Sequence, residues 1–290
     1  MDSTKPATPG DAAQLFAAPA PYRWRDRRRQ YVALQRVALK AQLQYRANFW
    51  TALLGGIALQ GVQLVFLSTL LARFNMIAGW EFSEVAFLFA VRLAAHALYV
   101  VPFGSFLQVD YIIHEGEFDR YLLRPASPFL QLITRQFPLM SLGDALLGFG
   151  ALVIFGIGAP IDWSPLTIAY LVGAIIGGGL VETATQIFLG GLTFVMTSTF
   201  SLRVFADSSM SQFSGYPLTM FGRWLFYGLT FIFPMAFVAY LPTTLLLGRQ
   251  SEVPLPDWLI AVSPLAGPIL LGAALTFFNR MTRRYTSPGG

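Results

Sequence analysis

The run FWTALLGGIALQGVQLVFLSTLL, residues 49–71, decides the fold class because it contains no ionisable side chain. A helix of roughly 20 predominantly apolar residues crosses the hydrocarbon core of a bilayer. The rest of the chain has the same character, since 55% of its 290 residues are hydrophobic, 12% are charged and the mean hydropathy is +0.56. A water-soluble surface does not tolerate this composition, and the apolar runs lack the alternation of a membrane barrel. The sequence therefore predicts an all-α integral membrane protein.

Five further apolar stretches predict five more membrane-spanning helices. They cover residues 82–107, 137–159, 166–187, 224–241 and 258–278. The fourth is ambiguous, because residues 166–205 carry few charges and are about twice too long for one straight crossing. Charge favours six spans over seven, with residues 190–205 continuing the fourth span as a cytosolic or interfacial extension. With both termini cytoplasmic, seventeen of the twenty Lys and Arg residues then lie on the cytoplasmic side, as the positive-inside rule requires.

The regions outside these spans are short. Residues 1–30 are interpreted as a basic cytoplasmic tail, because the arginines of YRWRDRRRQ have no apolar core of a signal peptide behind them. Those arginines suit either the topological signal alone or attraction to anionic inner-leaflet lipids. Residues 31–47 predict an amphipathic interfacial helix. Residues 48–280 form the membrane domain, and residues 281–290 form a cytoplasmic C-terminal tail.

The polar stretch IIHEGEFDRYLLRPASPFLQ, residues 112–131, joins the second and third spans on the cytoplasmic side. A glycine on one side and an Arg-Pro pair on the other limit a first short helix to residues 117–123. Ser127 and Pro128 are typical of the start of a second short helix. We expect the first helix to lie with its apolar positions against the membrane domain and its charges towards a partner. The apolar positions are Phe118, Tyr121 and Leu122, and the charged positions are Glu117, Asp119 and Arg120.

Two stretches, GEFDRYLLRPASPFLQ (116–131) and YPLTMFGRWLFYGLTFIFPMAFVAYLP (216–242), resemble the type-2 ABC exporter permeases, specifically a six-span bacterial branch. The resemblance runs over most of the chain from about residue 31. It implies a transmembrane subunit of the bacterial inner membrane, built as a homodimer or heterodimer around a substrate path. It also implies that residues 117–123 are a coupling helix that seats in a groove of a cytosolic ATPase, which binds ATP and Mg²⁺.

The residues themselves also favour a separate ATPase. A Walker-type phosphate loop ends in Gly-Lys-Ser/Thr, whereas the two lysines of this chain, Lys5 and Lys40, do not follow a glycine. We therefore expect the chain to be a non-catalytic subunit with no cofactor of its own. The chain has no cysteine and only two separated histidines, which excludes a thiolate metal site and argues against a histidine cluster. No feature suggests a nucleic-acid partner.

Four ionisable residues fall inside predicted spans, where an unpaired charge is costly. One interpretation is a gate or polar lining of the substrate path. The other is structural, with an Arg92–Glu182 salt bridge and hydrogen bonds from Thr183, Thr185 and Gln186 holding helices together. The four residues are Arg92, His96, Asp144 and Glu182.

Two alternatives stay open at the level of sequence. His96, Asp144 and Glu182 could form the proton relay of a proton-coupled secondary transporter, although no inverted repeat is evident. Gly173 and Gly177 permit close helix approach, either at a seam between two permease subunits or within one chain. Several prolines between residues 241 and 258 predict a short outer hairpin or re-entrant piece.

Overall fold

The computed structural model describes residues 24–74, 76–124, 126–196 and 198–285. The predicted all-α fold has one exception among these residues, a hairpin of two antiparallel strands, β1 (Met76–Ile77) and β2 (Trp80–Glu81). Its two turn residues, Ala78 and Gly79, both have positive φ, as a tight two-residue hairpin turn needs. The α-helices are α1 (Trp24–Leu43), α2 (Arg46–Phe74), α3 (Phe82–Phe103), α4 (Val109–His114), α5 (Phe118–Leu122), α6 (Pro128–Ile133), α7 (Met140–Gly158), α8 (Pro165–Leu192), α9 (Phe200–Phe213), α10 (Arg223–Tyr227), α11 (Tyr240–Leu246), α12 (Asp257–Ala261) and α13 (Ala266–Thr282).

Within the described part of the chain, four helical segments are long and apolar enough to cross a membrane. They are Arg46–Thr69, Phe82–His114, Met140–Gly158 and Pro165–Leu192, and each overlaps one of the first four predicted spans. Their apolar runs are uninterrupted by charge clusters, so hydropathy alone locates them. Parts of the predicted tails, residues 1–23 and 286–290, lie outside the described residues.

Glycines set the order in which the long helices pack. A Cβ at Gly148 of α7 would press on the backbone of α3, and one at Gly179 of α8 would press on Ala95 from the other side of α3. The α3 helix is therefore buried along most of its length. In the same way Gly143 lets α7 approach α2, and Gly177 lets α8 approach the start of α13. Small residues at each crossing bring the backbones close, which is how membrane helices gain packing energy.

The two ends of the bundle differ. One, the short-helix end, carries α4, α5 and α6, and α1 lies against it because the Tyr31 hydroxyl donates to the Pro102 carbonyl at 3.4 Å. The α1 helix begins before and ends before the predicted interfacial helix, residues 31–47. The other, the hairpin end, carries β1 and β2.

The predicted fifth span, residues 224–241, is wrong as a single helix. The segment consists of α10, a π-helical turn (Gly228–Ile232), a 3₁₀ turn (Met235–Phe237) and α11. Pro234 cannot donate a backbone hydrogen bond, so the helix breaks at this point.

The broken segment enters the bundle and returns to the end it came from. The Tyr227 hydroxyl donates to the Pro254 carbonyl near the hairpin end, whereas Val238 packs on Gly178, at the middle of α8. Residues 223–246 therefore form a hairpin that dips into the bundle and turns back, whereas the outer hairpin or re-entrant piece expected between residues 241 and 258 stays a prediction. We call residues 223–246 the re-entrant hairpin.

Residues 190–205, predicted as a cytosolic or interfacial extension of the fourth span, do not form one continuous helix. The α8 helix ends at Leu192, a turn follows, and α9 begins at Phe200 as a separate helix. The turn is stabilised by a 2.6 Å hydrogen bond between the hydroxyls of Thr193 and Thr199. The sixth predicted span, residues 258–278, corresponds to α12 and α13, which a 3₁₀ turn at Ser263–Leu265 separates.

An ion-pair cluster closes the hairpin end. Arg249 binds both carboxylate oxygens of Glu84, at 2.7 and 2.8 Å, and one oxygen of Glu252 at 2.7 Å. The guanidinium also lies 5.3 Å from the ring centre of Trp80, whose indole N–H donates to Glu252 at 3.1 Å. Burial lowers the pKa of Arg249, but hydrogen bonds and attraction to Glu84 and Glu252 outweigh it and raise the pKa above its ordinary value. The cluster thus fastens the strand hairpin to the chain that follows α11.

Candidate functional site

The first candidate site is the exposed side of α5 at the short-helix end. The helix, Phe118–Leu122, is one residue shorter at each end than predicted. Phe118 is fully buried, and its ring lies 4.9 Å from that of Tyr285 and 5.3 Å from that of Phe194. These edge-to-face contacts are favourable aromatic geometry, so Phe118 anchors α5 to the membrane domain.

The other predicted residues of this helix do not divide into a buried apolar face and an exposed charged face as the sequence predicts. Tyr121 is half-buried beside Phe118, as expected. Leu122 is 48% exposed, so its assignment to the buried face is wrong. Glu117 pairs with Arg135 at 3.3 Å, which leaves it less available to a partner than predicted. Asp119 is half-buried.

The exposed side chains form a mixed apolar and basic patch, which we call the α5 surface. Leu123 is 86% exposed and Leu122 is next to it. Arg120 and Arg124 are exposed on either side, and the Arg124 guanidinium lies 5.8 Å from the Tyr121 ring centre. Exposed leucines flanked by arginines are typical of a protein contact. Sequence reasoning missed Leu123 and Arg124, although their position before Pro125 placed them at the end of the helix.

The second candidate site is a polar cluster among the long helices. The His96 Nδ1 and a Glu182 oxygen are 2.6 Å apart, and both side chains are buried. Arg92 is fully buried, and its guanidinium makes no hydrogen bond with any described residue. The predicted Arg92–Glu182 salt bridge is therefore wrong, because Glu182 pairs with His96 instead.

The predicted threonine contacts between helices are also wrong. Thr183 and Thr185 donate to carbonyls of their own helix, at 2.7 and 3.0 Å. Gln186 does bridge helices, since its amide donates to Asp207 of α9 at 3.3 Å. Sequence reasoning missed Asp207 because the predicted fourth span stops at residue 205 and leaves Asp207 in a cytoplasmic loop.

Asp144 and Asp207 complete this polar cluster from two further helices. Asp144 of α7 is half-buried near Gln60 and interacts electrostatically with His96 and Arg92. Asp207 is half-buried and lies within electrostatic range of the same two side chains, His96 and Arg92. The structure thus brings together all four predicted intramembrane residues and adds Asp207. Three carboxyl groups and two basic groups thus lie together within the apolar bundle. Ionisable side chains in such a position are typical of a path for protons, ions or substrates.

A cavity of about 500 Å³ lies one helical turn from the polar cluster, towards the hairpin end. On each of three helices, a residue of the cavity wall lies about one helical turn from a residue in or beside the polar cluster. Gln63 of the cavity follows Gln60 on α2, Phe89 precedes Arg92 on α3, and Ser211 follows Asp207 on α9. The remaining wall is largely aromatic, with Phe66, Phe213, Tyr216 and Phe221. We call this cavity the groove. Its size is in the range of small-molecule sites.

The two glycines predicted to allow close helix packing, Gly173 and Gly177, have different surroundings in the structure. Gly177 faces Pro264 and Gly267 of its own chain, where a Cβ would overlap backbone atoms. Gly173 has no atom within 4 Å of the position of a Cβ. Gly177 is thus occupied by intrachain packing, whereas a seam at Gly173 stays a prediction.

Comparison with known proteins gives one finding. A family model described as "ABC-2 family transporter protein" matches residues 57–289, well over half of the chain. No curated protein and no solved structure gives a significant match.

Proposed function

The chain belongs to the ABC-2 family of transporter proteins, and from that premise we propose that it is the permease of an exporter driven by a separate cytosolic ATPase. The family consists of multi-pass membrane subunits, so the general role is that of an ABC permease. Our proposal adds the direction of transport, which rests on the resemblance to exporters, and the coupling to an ATPase. It also adds a second permease subunit, identical or related, and the bacterial inner membrane as the location.

The observation that carries the proposal is the α5 surface. A five-residue helix is too short to be stable by itself, yet α5 is held in place because Phe118 is completely buried. It presents two exposed leucines and two exposed arginines away from the bundle. Such a surface suits a groove on another protein. ATP and Mg²⁺ would bind in that partner, since this chain has no phosphate-binding loop.

The proposed topology has six crossings with both termini in the cytoplasm. The fifth crossing would be α9 with the residues that follow it to the hairpin end, rather than residues 224–241. The re-entrant hairpin then lies in the outer half of the membrane, between the fifth and sixth crossings. Arg223, counted as cytoplasmic by the sequence argument, moves to the outer side, and the remaining excess of basic residues inside still satisfies the positive-inside rule.

The groove and the polar cluster are proposed as part of the substrate path. They lie next to each other within the bundle, and α9 contributes to both. The alternative of a proton-coupled secondary transporter is not favoured by the family, although the His96–Glu182 pair has a geometry that proton transfer requires.

The test is co-purification with the cognate ATPase after co-expression. Replacing Arg120 by Glu and Leu123 by Asp together should weaken the complex by about 1–3 kcal/mol, because it reverses a charge and buries another at the contact. Arg280→Glu is the matched control, since Arg280 is also exposed near the short-helix end.

Phe118→Ala should have a different effect. It removes a fully buried ring and should lower the stability of the permease itself by about 3 kcal/mol.

Unchanged co-purification and ATP hydrolysis for the Arg120→Glu/Leu123→Asp variant would disprove the coupling role of α5. ATP turnover by the permease alone would disprove the division of labour.

A further inference from the structure

We propose that Asp110 and Arg203 are positioning residues of the transport cycle. They fasten the start of α9 to the segment that leads into α5, so that a displacement of α5 moves the α9 wall of the groove. This inference rests on the proposed coupling of α5 to an ATPase, and it identifies how that motion reaches the substrate path.

The first fastening is made by the Asp110 carboxylate, which is buried. One oxygen accepts hydrogen bonds from the Thr199 backbone N–H and from the Thr199 hydroxyl, both at 2.8 Å. The other accepts from the Ser198 hydroxyl at 3.3 Å. Hydrogen bonds to an ionised carboxylate are shorter and stronger than neutral ones. Because Thr199 is the N-cap residue of α9, this carboxylate fixes where the helix starts.

The second fastening comes from α9 itself. The Arg203 guanidinium donates to the carbonyls of Phe106 and Leu107 at 2.7 and 3.1 Å, and lies 5.2 Å from the Phe106 ring centre. The side chain is almost completely buried. A forked guanidinium that binds two successive carbonyls defines direction as well as distance. The first turn of α9 is therefore tied to the 3₁₀ turn, Gly104–Gln108, that leads into α4.

A third contact joins α5 to the turn that connects α8 and α9, just before the first turn of α9. The ring of Phe118 lies 5.3 Å from that of Phe194, in the turn between α8 and α9. The turn is thus held on one side by α4 and on the other by α5, and these two short helices are separated by only three residues. Beyond the turn, α9 continues without a break to Phe213.

The far end of α9 contributes Ser211, Gln212 and Phe213 to the groove, and its middle contributes Asp207 to the polar cluster. A helix transmits a displacement along its axis as one unit, so movement at Thr199 moves these side chains. A contiguous chain of contacts alone does not demonstrate coupling. The experiment must therefore break the fastening while leaving ATPase binding intact.

The chain has no cysteine, so a single Gln212→Cys substitution reports on the groove without further changes. We propose to measure its rate of alkylation by N-ethylmaleimide in the complex with the ATPase, with and without ATP plus vanadate. The nucleotide should change the rate by about threefold or more if coupling has the usual size.

Three substitutions are then compared in that background. Thr199→Val removes the hydroxyl but keeps the side-chain shape, and Arg203→Lys keeps the charge but loses the fork. Both should abolish most of the nucleotide-dependent change while retaining co-purification and ATP hydrolysis. Thr199→Ser, which retains the hydroxyl, should behave like the unaltered residue.

The outcomes separate this inference from the function on which it rests. A nucleotide response that survives both Thr199→Val and Arg203→Lys overturns the inference and leaves the ATPase coupling intact. The same holds if the ATPase binds but the nucleotide never changes the alkylation of the Gln212→Cys variant. Failure of the ATPase to bind the unaltered permease overturns the proposed function first, and the inference with it.

Discussion

Arg249 shows how much one side chain contributes at the hairpin end. Its guanidinium binds both oxygens of Glu84, one oxygen of Glu252 and the Gly79 carbonyl, in addition to its position over Trp80. Lysine would keep the charge but could not form the bidentate pair. The side chain is about one-fifth exposed, so solvent screening reduces the electrostatic part of the loss.

Arg249→Lys should therefore lower the unfolding free energy of the purified permease by about 1–2 kcal/mol. The measurement is thermal unfolding in detergent. Arg73→Lys is the control, because Arg73 is exposed in the last turn of α2. Equal unfolding temperatures for the two variants would show that the bidentate pairing of Arg249 with Glu84 contributes nothing to stability.

Residue identities were predicted better than residue partners. The sequence indicated that Arg92, His96, Asp144 and Glu182 would lie within spans, and the structure brings all four together. It could not indicate that Glu182 pairs with His96 rather than Arg92, because that choice depends on helix rotation, and an error of one residue turns a side chain by about 100°. The Asp110–Thr199 bonds were missed for a related reason, since they join residues far apart in the chain.

At the scale of elements, the long helices are held at glycine crossings. Gly177 and Gly173 lie four residues apart on α8, but only Gly177 contacts another helix. Gly177→Ala should destabilise the permease by about 1–3 kcal/mol, because a methyl group would overlap the backbone at Pro264. Gly173→Ala should be neutral or stabilising by up to about 1 kcal/mol, as expected for alanine in an unobstructed helix.

Thermal unfolding of the two glycine variants distinguishes them. If both are equally stable, the crossing of α8 and α13 can relax and is not a tight contact. If Gly173→Ala instead disrupts a dimer without unfolding the subunit, Gly173 lies at the seam between subunits.

The first four spans were predictable because each is an apolar run without strong helix breakers at its centre. The path of residues 213–265 was not predictable, because hydropathy measures only whether a segment is apolar and not whether it crosses the membrane. A crossing helix and a re-entrant segment buried in protein have the same composition. The useful signal was the spacing of Gly222, Gly228 and Pro234, which does not permit one regular helix.

For the whole molecule, the position of Arg223 distinguishes the two topologies. In the sequence-based topology it lies on the cytoplasmic side, at the start of the fifth span. In the structure it is exposed near the hairpin end, since neighbouring Thr219 and Tyr227 contact Tyr240 and Pro254. Its side of the membrane is therefore a direct test of the proposed fold.

Arg223→Cys should react with a membrane-impermeant maleimide added to intact cells, because no other cysteine competes for the reagent. Ser251→Cys, at the same end, serves as the positive control, and Glu115→Cys, at the short-helix end, should react only after the cells are permeabilised. Protection of the Arg223→Cys variant in intact cells would restore the simple fifth span and reject the re-entrant hairpin in the native membrane.

The re-entrant hairpin also constrains how the protein is made. Its helices are too short to enter lipid alone, because their broken backbone would leave polar groups without hydrogen-bond partners. The ribosome nevertheless completes residues 223–246 before it reaches α12, which contacts α11 in the finished bundle. We therefore expect the hairpin to be translocated first and to enter the protein interior only when the last helix has been inserted, so that biosynthesis passes through a stage in which this segment requires protection.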